Sequence, residues 1–148
     1  MSALTLLAET EQFLHAQIPL SAAMGVRVVS FDGGQLVLTA PLDLNHNHLG
    51  TAFGGSLSAI AVLAGYGTLW LLLDDRKAHI VVRRSSIQYH HPVRANIRAI
   101  CKSPDAATLA AFKNQFSQNG KARISLHVSI EEAGRVCVEF EGVFVALT

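Results

Sequence analysis

Cysteines and charged side chains are scarce in this sequence, and each shortage excludes a class of protein. The 148 residues include two cysteines, Cys101 and Cys137. That number fits neither a disulfide scaffold nor a four-cysteine zinc site, so we expect two free, buried thiols. Only 16% of the residues are charged, and the formal net charge is +1. This balance gives no electrostatic basis for binding nucleic acid or a membrane surface.

Signals for secretion or for a membrane span are also weak. The first residues lack a basic region and reach acids at Glu9 and Glu11, which predicts that there is no signal peptide. Residues 57–73 hold no charge, but they lie near the lower limit that a bilayer core of about 30 Å requires. A helix that is apolar on all sides is buried either in protein or in lipid. Because amphipathic strands follow this segment, we interpret it as a buried core helix. We therefore expect a cytoplasmic protein.

Hydrophobic periodicity predicts one α+β domain over residues 1–148. Helices are predicted over residues 4–18, 56–73 and 104–118, the last with Ser103 as its N-cap and Pro104 at its first position. Strands are predicted over residues 25–31, 35–41, 79–90, 93–102, 122–130 and 136–147. A helix that is apolar on every side needs cover on most sides. A curved antiparallel sheet wrapped around it would provide that cover.

Two adjacent glycines, Gly54 and Gly55, stand at the start of the central helix. The N–H groups of a first turn lack partners within the helix, and the helix dipole adds partial positive charge there. Without Cβ atoms, a ligand can approach this backbone closely. The pair could therefore bind a carbonyl oxygen that gains negative charge. Alternatively, the glycines only let the helix pack closely against the sheet.

The run N-x-x-G-x-x-F-G-G at residues 47–55, followed by the apolar helix and by IQYHHPV at residues 87–93, resembles the hotdog-fold acyl thioesterases. A closer resemblance is to thioesterases related to the C-terminal domain of YiiD, in which GTxFGGS opens the central helix. It covers about residues 15–147. The resemblance implies hydrolysis of a thioester of coenzyme A or acyl carrier protein, without a cofactor. It also implies a homodimer with the active site at its interface, and dimers that can pair into tetramers. A strand near residues 77–88 would be an open edge in a monomer, which such a dimer would cover.

The resemblance also assigns roles in the loop before the helix. Asn47 matches the asparagine that positions or activates the attacking water. The N–H of Gly55, with that of Gly54, would polarise the thioester carbonyl. His48 could serve as general base, because a neutral imidazole is available near pH 7. The alternative for His48 is a role in shaping the loop.

Further residues are expected to contact the substrate. Phe53 and Ser56 flank the glycine pair, and Ser85 and Ser86 lie on a strand that lines the pocket in this family. Arg84 belongs to a set of cations that we expect to cluster on adjacent strands and to hold coenzyme A phosphates: Arg83, Arg84, Arg94, Arg98 and Lys102. The alternative for these strand residues is simple exposure to solvent.

The sequence departs from the family pattern in two ways. Phe53 replaces the histidine of the phenylacetate-type branch, and no aspartate or glutamate lies between Gly54 and Leu73, where many hotdog thioesterases place one. The usual carboxylate is therefore absent from its usual place. This leaves a non-catalytic module that binds acyl-CoA as one alternative.

A hotdog enoyl-CoA hydratase is the other alternative. Asp43-x-Asn45-x-x-His48 resembles the D-x-N-x-x-H motif of those enzymes, in which the aspartate and the histidine activate water. In the thioesterase interpretation, Asp43 only closes the loop. His46 and His48 could together bind a metal ion, but the sequence offers no evident third ligand, so we expect no metal site.

Overall fold

A six-stranded antiparallel sheet is the frame of the molecule, which we describe from a computed structural model covering residues 2–148. The helices are α1 (Ala3–Gln17), α2 (Pro19–Ala23), α3 (Gly54–Leu73) and α4 (Ala106–Asn119). The strands are β1 (Arg27–Phe31), β2 (Gln35–Ala40), β3 (His79–Tyr89), β4 (Ile97–Lys102), β5 (Lys121–Glu132) and β6 (Arg135–Leu147). Their order in the sheet is β1-β2-β4-β5-β6-β3. The curved sheet wraps around α3, so the predicted α+β class and hotdog fold are confirmed.

Helix α3 is the centre of the hydrophobic core. Ile60, Ala64 and Leu69 are fully buried, and α3 packs against five of the six strands. Gly65 allows close packing, because a Cβ there would overlap the ring of Phe144. The helix is long and apolar enough to cross a membrane by length and composition alone, yet more than half of its most apolar window is buried in this fold. The interpretation as a core helix is confirmed, although the helix begins two residues earlier than predicted.

Turn chemistry fixes the two predicted hairpins. The Asp32 carboxylate accepts hydrogen bonds from the N–H groups of Gly34 (2.7 Å) and Gln35 (2.9 Å), which closes the turn between β1 and β2. Between β5 and β6, Ala133 and Gly134 both have positive φ, at 52° and 75°. Turns of that kind match the twist of paired strands. Both strand pairs form as predicted.

Strand β4 is shorter than predicted. It begins at Ile97 rather than at residue 93, and Ala95, inside the predicted strand, is exposed and lies outside β4. The N–H groups of Arg94 and Ala95 donate to the Glu132 carboxylate, at 2.9 and 2.7 Å. A carboxylate therefore takes the place of a strand partner for this segment.

The predicted N-cap of α4, Ser103, is also wrong, by two residues. Asp105 is the N-cap, and its carboxylate accepts a hydrogen bond from the N–H of Thr108 at 2.8 Å. This bond lowers the pKa of Asp105. The hydroxyl of Ser103 instead donates to the Gly33 carbonyl at 2.8 Å, on the loop between β1 and β2.

Strand β3 lies at one edge of the sheet, as expected, and pairs with β6. In the part of the chain that the structure describes, no strand covers its other edge. Although β3 and β4 follow one another in sequence, β5 and β6 lie between them. The expected cluster of cations on adjacent strands is therefore wrong, because Arg84 lies on β3 whereas Arg98 and Lys102 lie on β4.

The two thiols are free and buried, as predicted. Burial raises the pKa of the Cys101 thiol from 9.0 to about 11, with a smaller opposing effect from its hydrogen bond with Thr68. Such a thiol stays protonated, so it is a poor nucleophile at neutral pH.

Candidate active site

The start of α3 presents three backbone donors. Phe53 is the N-cap residue and provides no side-chain cap, so the N–H groups of Gly54, Gly55 and Ser56 have no hydrogen-bond partner among residues 2–148. The first internal bond of the helix runs from the Leu57 N–H to the Phe53 carbonyl at 3.0 Å. Free donors at the positive end of a helix dipole are suited to an oxygen that carries negative charge.

The ring of Phe53 lies against the backbone of Gly55. A Cβ built on Gly55 would overlap this ring, so only glycine permits the contact as it stands. The Phe53 side chain is 55% exposed, and it forms an apolar wall beside the free N–H groups. Its backbone is fixed, because the Phe53 N–H donates to the Asn45 carbonyl at 2.7 Å. The glycine pair therefore serves both close packing and access to the backbone.

Tyr89, the last residue of β3, contacts the same turn from the other side. Its hydroxyl donates to the Gly54 carbonyl at 3.3 Å, and its ring lies 3.7 Å from the position that a Cβ of Gly54 would occupy. The sequence motif included Tyr89 but gave it no role. The contact joins the end of the edge strand to the start of the central helix.

Asn47 organises the loop before α3. Its side-chain carbonyl accepts from the N–H groups of Leu49 (2.9 Å) and Thr51 (3.2 Å), and its amide donates to the Thr51 hydroxyl at 2.9 Å. Both acceptor positions of the amide oxygen are thus occupied, whereas the NH₂ group keeps one hydrogen for another partner. Asn47 is therefore able to donate to a water or to a substrate oxygen but not to accept a proton.

The loop does not assemble the residues of the hydratase alternative. Asp43 and His48 are both exposed, and within residues 2–148 no hydrogen bond joins them. Asn45, between them, is buried at 3% exposure and donates to the carbonyls of Met24 (2.9 Å) and Pro41 (2.8 Å). Asn45 therefore has a structural role in this arrangement.

The prediction that Asp43 closes the loop is wrong. No hydrogen bond reaches the Asp43 carboxylate in the described chain, and the loop-closing contacts belong to Asn47. Asp43 lines a surface cavity of about 650 Å³ together with His46 and Asn96. As for metals, no three histidine, cysteine or acidic side chains come together within residues 2–148.

Strand β3 divides the remaining candidates between the two faces of the sheet. Ser85 is paired with Gly142 on the face that carries Tyr89 and α3, because residues two apart on a strand share a face. Ser86 lines a cavity of about 510 Å³ on the opposite, outer face. Arg84 lines a second outer groove, of about 640 Å³, with Arg123 of β5. Of the three, only Ser85 shares a face with the start of α3.

The fold and the free donors at the helix start define a class: a hotdog protein of the thioesterase type. The chain belongs to the YiiD_C family, which is described as "Putative thioesterase (yiiD_Cterm)" and matches residues 7–148.

Solved structures agree with this assignment. A protein of unknown function from Chlorobaculum tepidum is 37% identical, with a TM-score of 0.92 over 99% of this chain and 97% of that one. A "putative thioesterase" from Shewanella oneidensis is 32% identical, with a TM-score of 0.86 over 97% and 99% of the two chains. A Pseudomonas aeruginosa protein at 22% identity shares the fold, with a TM-score of 0.81 over 95% of this chain and 94% of that one. The family supports thioester hydrolysis as the general chemistry.

Proposed function

We propose that this protein hydrolyses the thioester of an acyl-CoA or an acyl carrier protein at the start of α3. The observation that carries the proposal is the set of uncapped N–H groups at Gly54, Gly55 and Ser56. A thioester oxygen that accepts from Gly55 would gain negative charge as water attacks, and fixed donors stabilise that charge. The exposed rings of Phe53 and Tyr89 supply apolar contact for the acyl group on either side of these donors.

The attacking water needs one group that orients it and another that takes its proton. Asn47 has a free N–H and can orient the water or hold the thioester oxygen, but its own oxygen is fully occupied. Because α3 carries no carboxylate, we assign the role of general base to His48, which is exposed in the same loop as Asn47. His48 takes a proton from water, and the oxygen attacks the carbonyl carbon. When the C–S bond breaks, the imidazolium returns the proton to the leaving thiolate.

We further infer that the active form is a homodimer joined through β3. This strand has an open edge in the described chain, and its Val81 and Val82 side chains are 49% and 39% exposed. Open edges that carry apolar side chains are usually paired or covered. Pairing with β3 of a second copy would cover them and would place the second copy beside Tyr89 and the start of α3. Light scattering at micromolar concentration is expected to give a dimer or a larger assembly, and a stable monomer would contradict this arrangement.

A panel of acyl-CoA and acyl carrier protein thioesters, with detection of the released thiol, tests the proposed activity. Release above the uncatalysed rate supports hydrolysis, and the preferred member identifies the acyl group and the carrier. Binding of acyl-CoA without release would favour the non-catalytic module. Hydration of an enoyl-CoA without thiol release would favour the hydratase.

A further inference from the structure

The peptide group between Gly54 and Gly55 is held from outside the helix by Tyr89. The Tyr89 hydroxyl donates to the Gly54 carbonyl at 3.3 Å, and the ring packs 3.7–3.8 Å from the Cβ position of Gly54. Tyr89 itself is held in the sheet, where it pairs with Val138 of β6. The contact therefore links a fixed strand end to the first peptide group of the helix.

The Gly54 carbonyl and the Gly55 N–H belong to one planar peptide group. A hydrogen bond donated to the carbonyl oxygen polarises the whole group, and bonds in such a chain strengthen one another. The Gly55 N–H therefore becomes a stronger donor when the Tyr89 hydroxyl is bound to the other end of the group. The bond also limits rotation of a peptide group flanked by two glycines, which have the greatest backbone freedom.

We propose that Tyr89 is a positioning residue for thioester hydrolysis: it orients and polarises the peptide group whose N–H, on Gly55, binds the thioester oxygen. This inference rests on the proposed function, because it requires the thioester to bind at the start of α3. Tyr89 does not touch the reacting atoms in this account: its ring contacts the acyl group, and its hydroxyl acts on the reaction through the peptide group.

The test removes the hydroxyl and keeps the ring. In Tyr89→Phe, the packing against Gly54 remains, whereas the hydrogen bond to its carbonyl is lost. Tyr66→Phe is the matched control, since it removes a hydroxyl from a half-buried tyrosine further along α3, where the ring stacks on Phe13 at 6.4 Å. The Tm of each variant is expected to lie within a few degrees of the wild-type Tm.

For Tyr89→Phe, we expect kcat for thiol release to fall about two- to tenfold, the equivalent of one neutral hydrogen bond. KM should not change, because the lost effect grows as charge develops on the oxygen. Tyr66→Phe should keep both constants. A purely structural role of Tyr89 would instead change KM and thermal stability together.

A second readout does not depend on turnover. A ketone analogue of acyl-CoA, with CH₂ in place of sulfur and an NMR-active carbon at the carbonyl, reports the strength of the hydrogen bond to its oxygen through its chemical shift. We expect a downfield shift on binding to the wild type and a smaller one on binding to Tyr89→Phe. Equal shifts together with equal kcat values would overturn the inference.

The same spectra separate this inference from the proposed function. If the analogue binds both proteins and Gly55→Val leaves the bound shift unchanged, the helix start is not the site and both proposals fail. If Gly55→Val abolishes the shift and Tyr89→Phe does not reduce it, only the role of Tyr89 is wrong.

Discussion

Replacing Asn47 by aspartate separates the two roles of its side chain, holding the loop and donating to the reaction. An aspartate oxygen can still accept from the N–H groups of Leu49 and Thr51. Its second oxygen can accept from the Thr51 hydroxyl, which would reverse the direction of that bond, because a hydroxyl both donates and accepts. Asn47→Asp therefore keeps all three loop contacts, removes the free N–H and places a negative charge in its stead.

The expected effects follow from these contacts. Asn47→Ala loses three hydrogen bonds of about 0.5–1.5 kcal/mol each, so we expect it to destabilise the loop by about 2–4 kcal/mol. Asn47→Asp should stay close to wild-type stability. Loss of one donor to a developing charge costs about 10²–10³ in turnover, so kcat of Asn47→Asp should fall by that factor.

Thermal unfolding and thiol release, measured on the same preparations, check this prediction. Asp43→Asn is the matched control, because it removes a carboxylate from the same loop without removing a hydrogen bond, and it should stay within about tenfold of wild-type turnover, or roughly 1.4 kcal/mol of barrier. Wild-type kcat in Asn47→Asp would refute the donor role. Loss of activity in Asp43→Asn with normal activity in Asn47→Asp, together with hydration of an enoyl-CoA by the wild type, would instead favour the hydratase arrangement.

Three further substitutions test the packing of α3 and the burial of the Cys101 thiol. Gly54→Ala places a Cβ 3.7 Å from the Tyr89 ring, an ordinary contact, so it should raise the unfolding free energy by up to about 1 kcal/mol through helix propensity. Gly65→Ala in the same helix would place a Cβ into the Phe144 ring and should lower the unfolding free energy by about 1–3 kcal/mol. Urea unfolding compares the two variants, and a change of the same sign in both unfolding free energies would contradict the packing described for these glycines. For Cys101, the folded pKa of about 11 lies above the ordinary value of 9.0, so its contribution to stability should be complete below pH 9 and should be lost as the pH rises towards 11. Urea titrations of wild type and Cys101→Ala at pH 8 and at about pH 10.5 should show that difference, whereas parallel curves would contradict it.

Local sequence patterns predicted most of the helices and strands. The errors lie where a residue distant in sequence forms a hydrogen bond at the end of an element. The turn at Asp32 is closed by its own neighbours, and short-range sequence signals found it. The end of β4 depends on Glu132, and the cap of α4 depends on Gly33, which takes the Ser103 hydroxyl. Neither partner is near in sequence, so periodicity and capping rules could not include them.

The features of the candidate site also fall into those that the local sequence predicted and those that depend on residues distant in sequence. The glycine pair and the free N–H groups follow from the sequence, because a helix start that lacks a capping side chain exposes them. The separation of Arg84 from the cations of β4 depends on strand order, which the sequence did not specify. The contact of Tyr89 with Gly54 joins residues 35 positions apart, and no pattern within either segment indicates it.

Thiol release by Gly55→Val, compared with the wild type, tests the central claim most directly. The added Cβ displaces the exposed ring of Phe53 rather than a buried group, so the variant should still fold. The branched side chain would then stand where the thioester oxygen must approach the Gly55 N–H. We predict a loss of at least about 10² in kcat/KM for the best substrate of the panel, at near wild-type thermal stability. A folded Gly55→Val variant with wild-type turnover would contradict the assignment of the helix start as the active site.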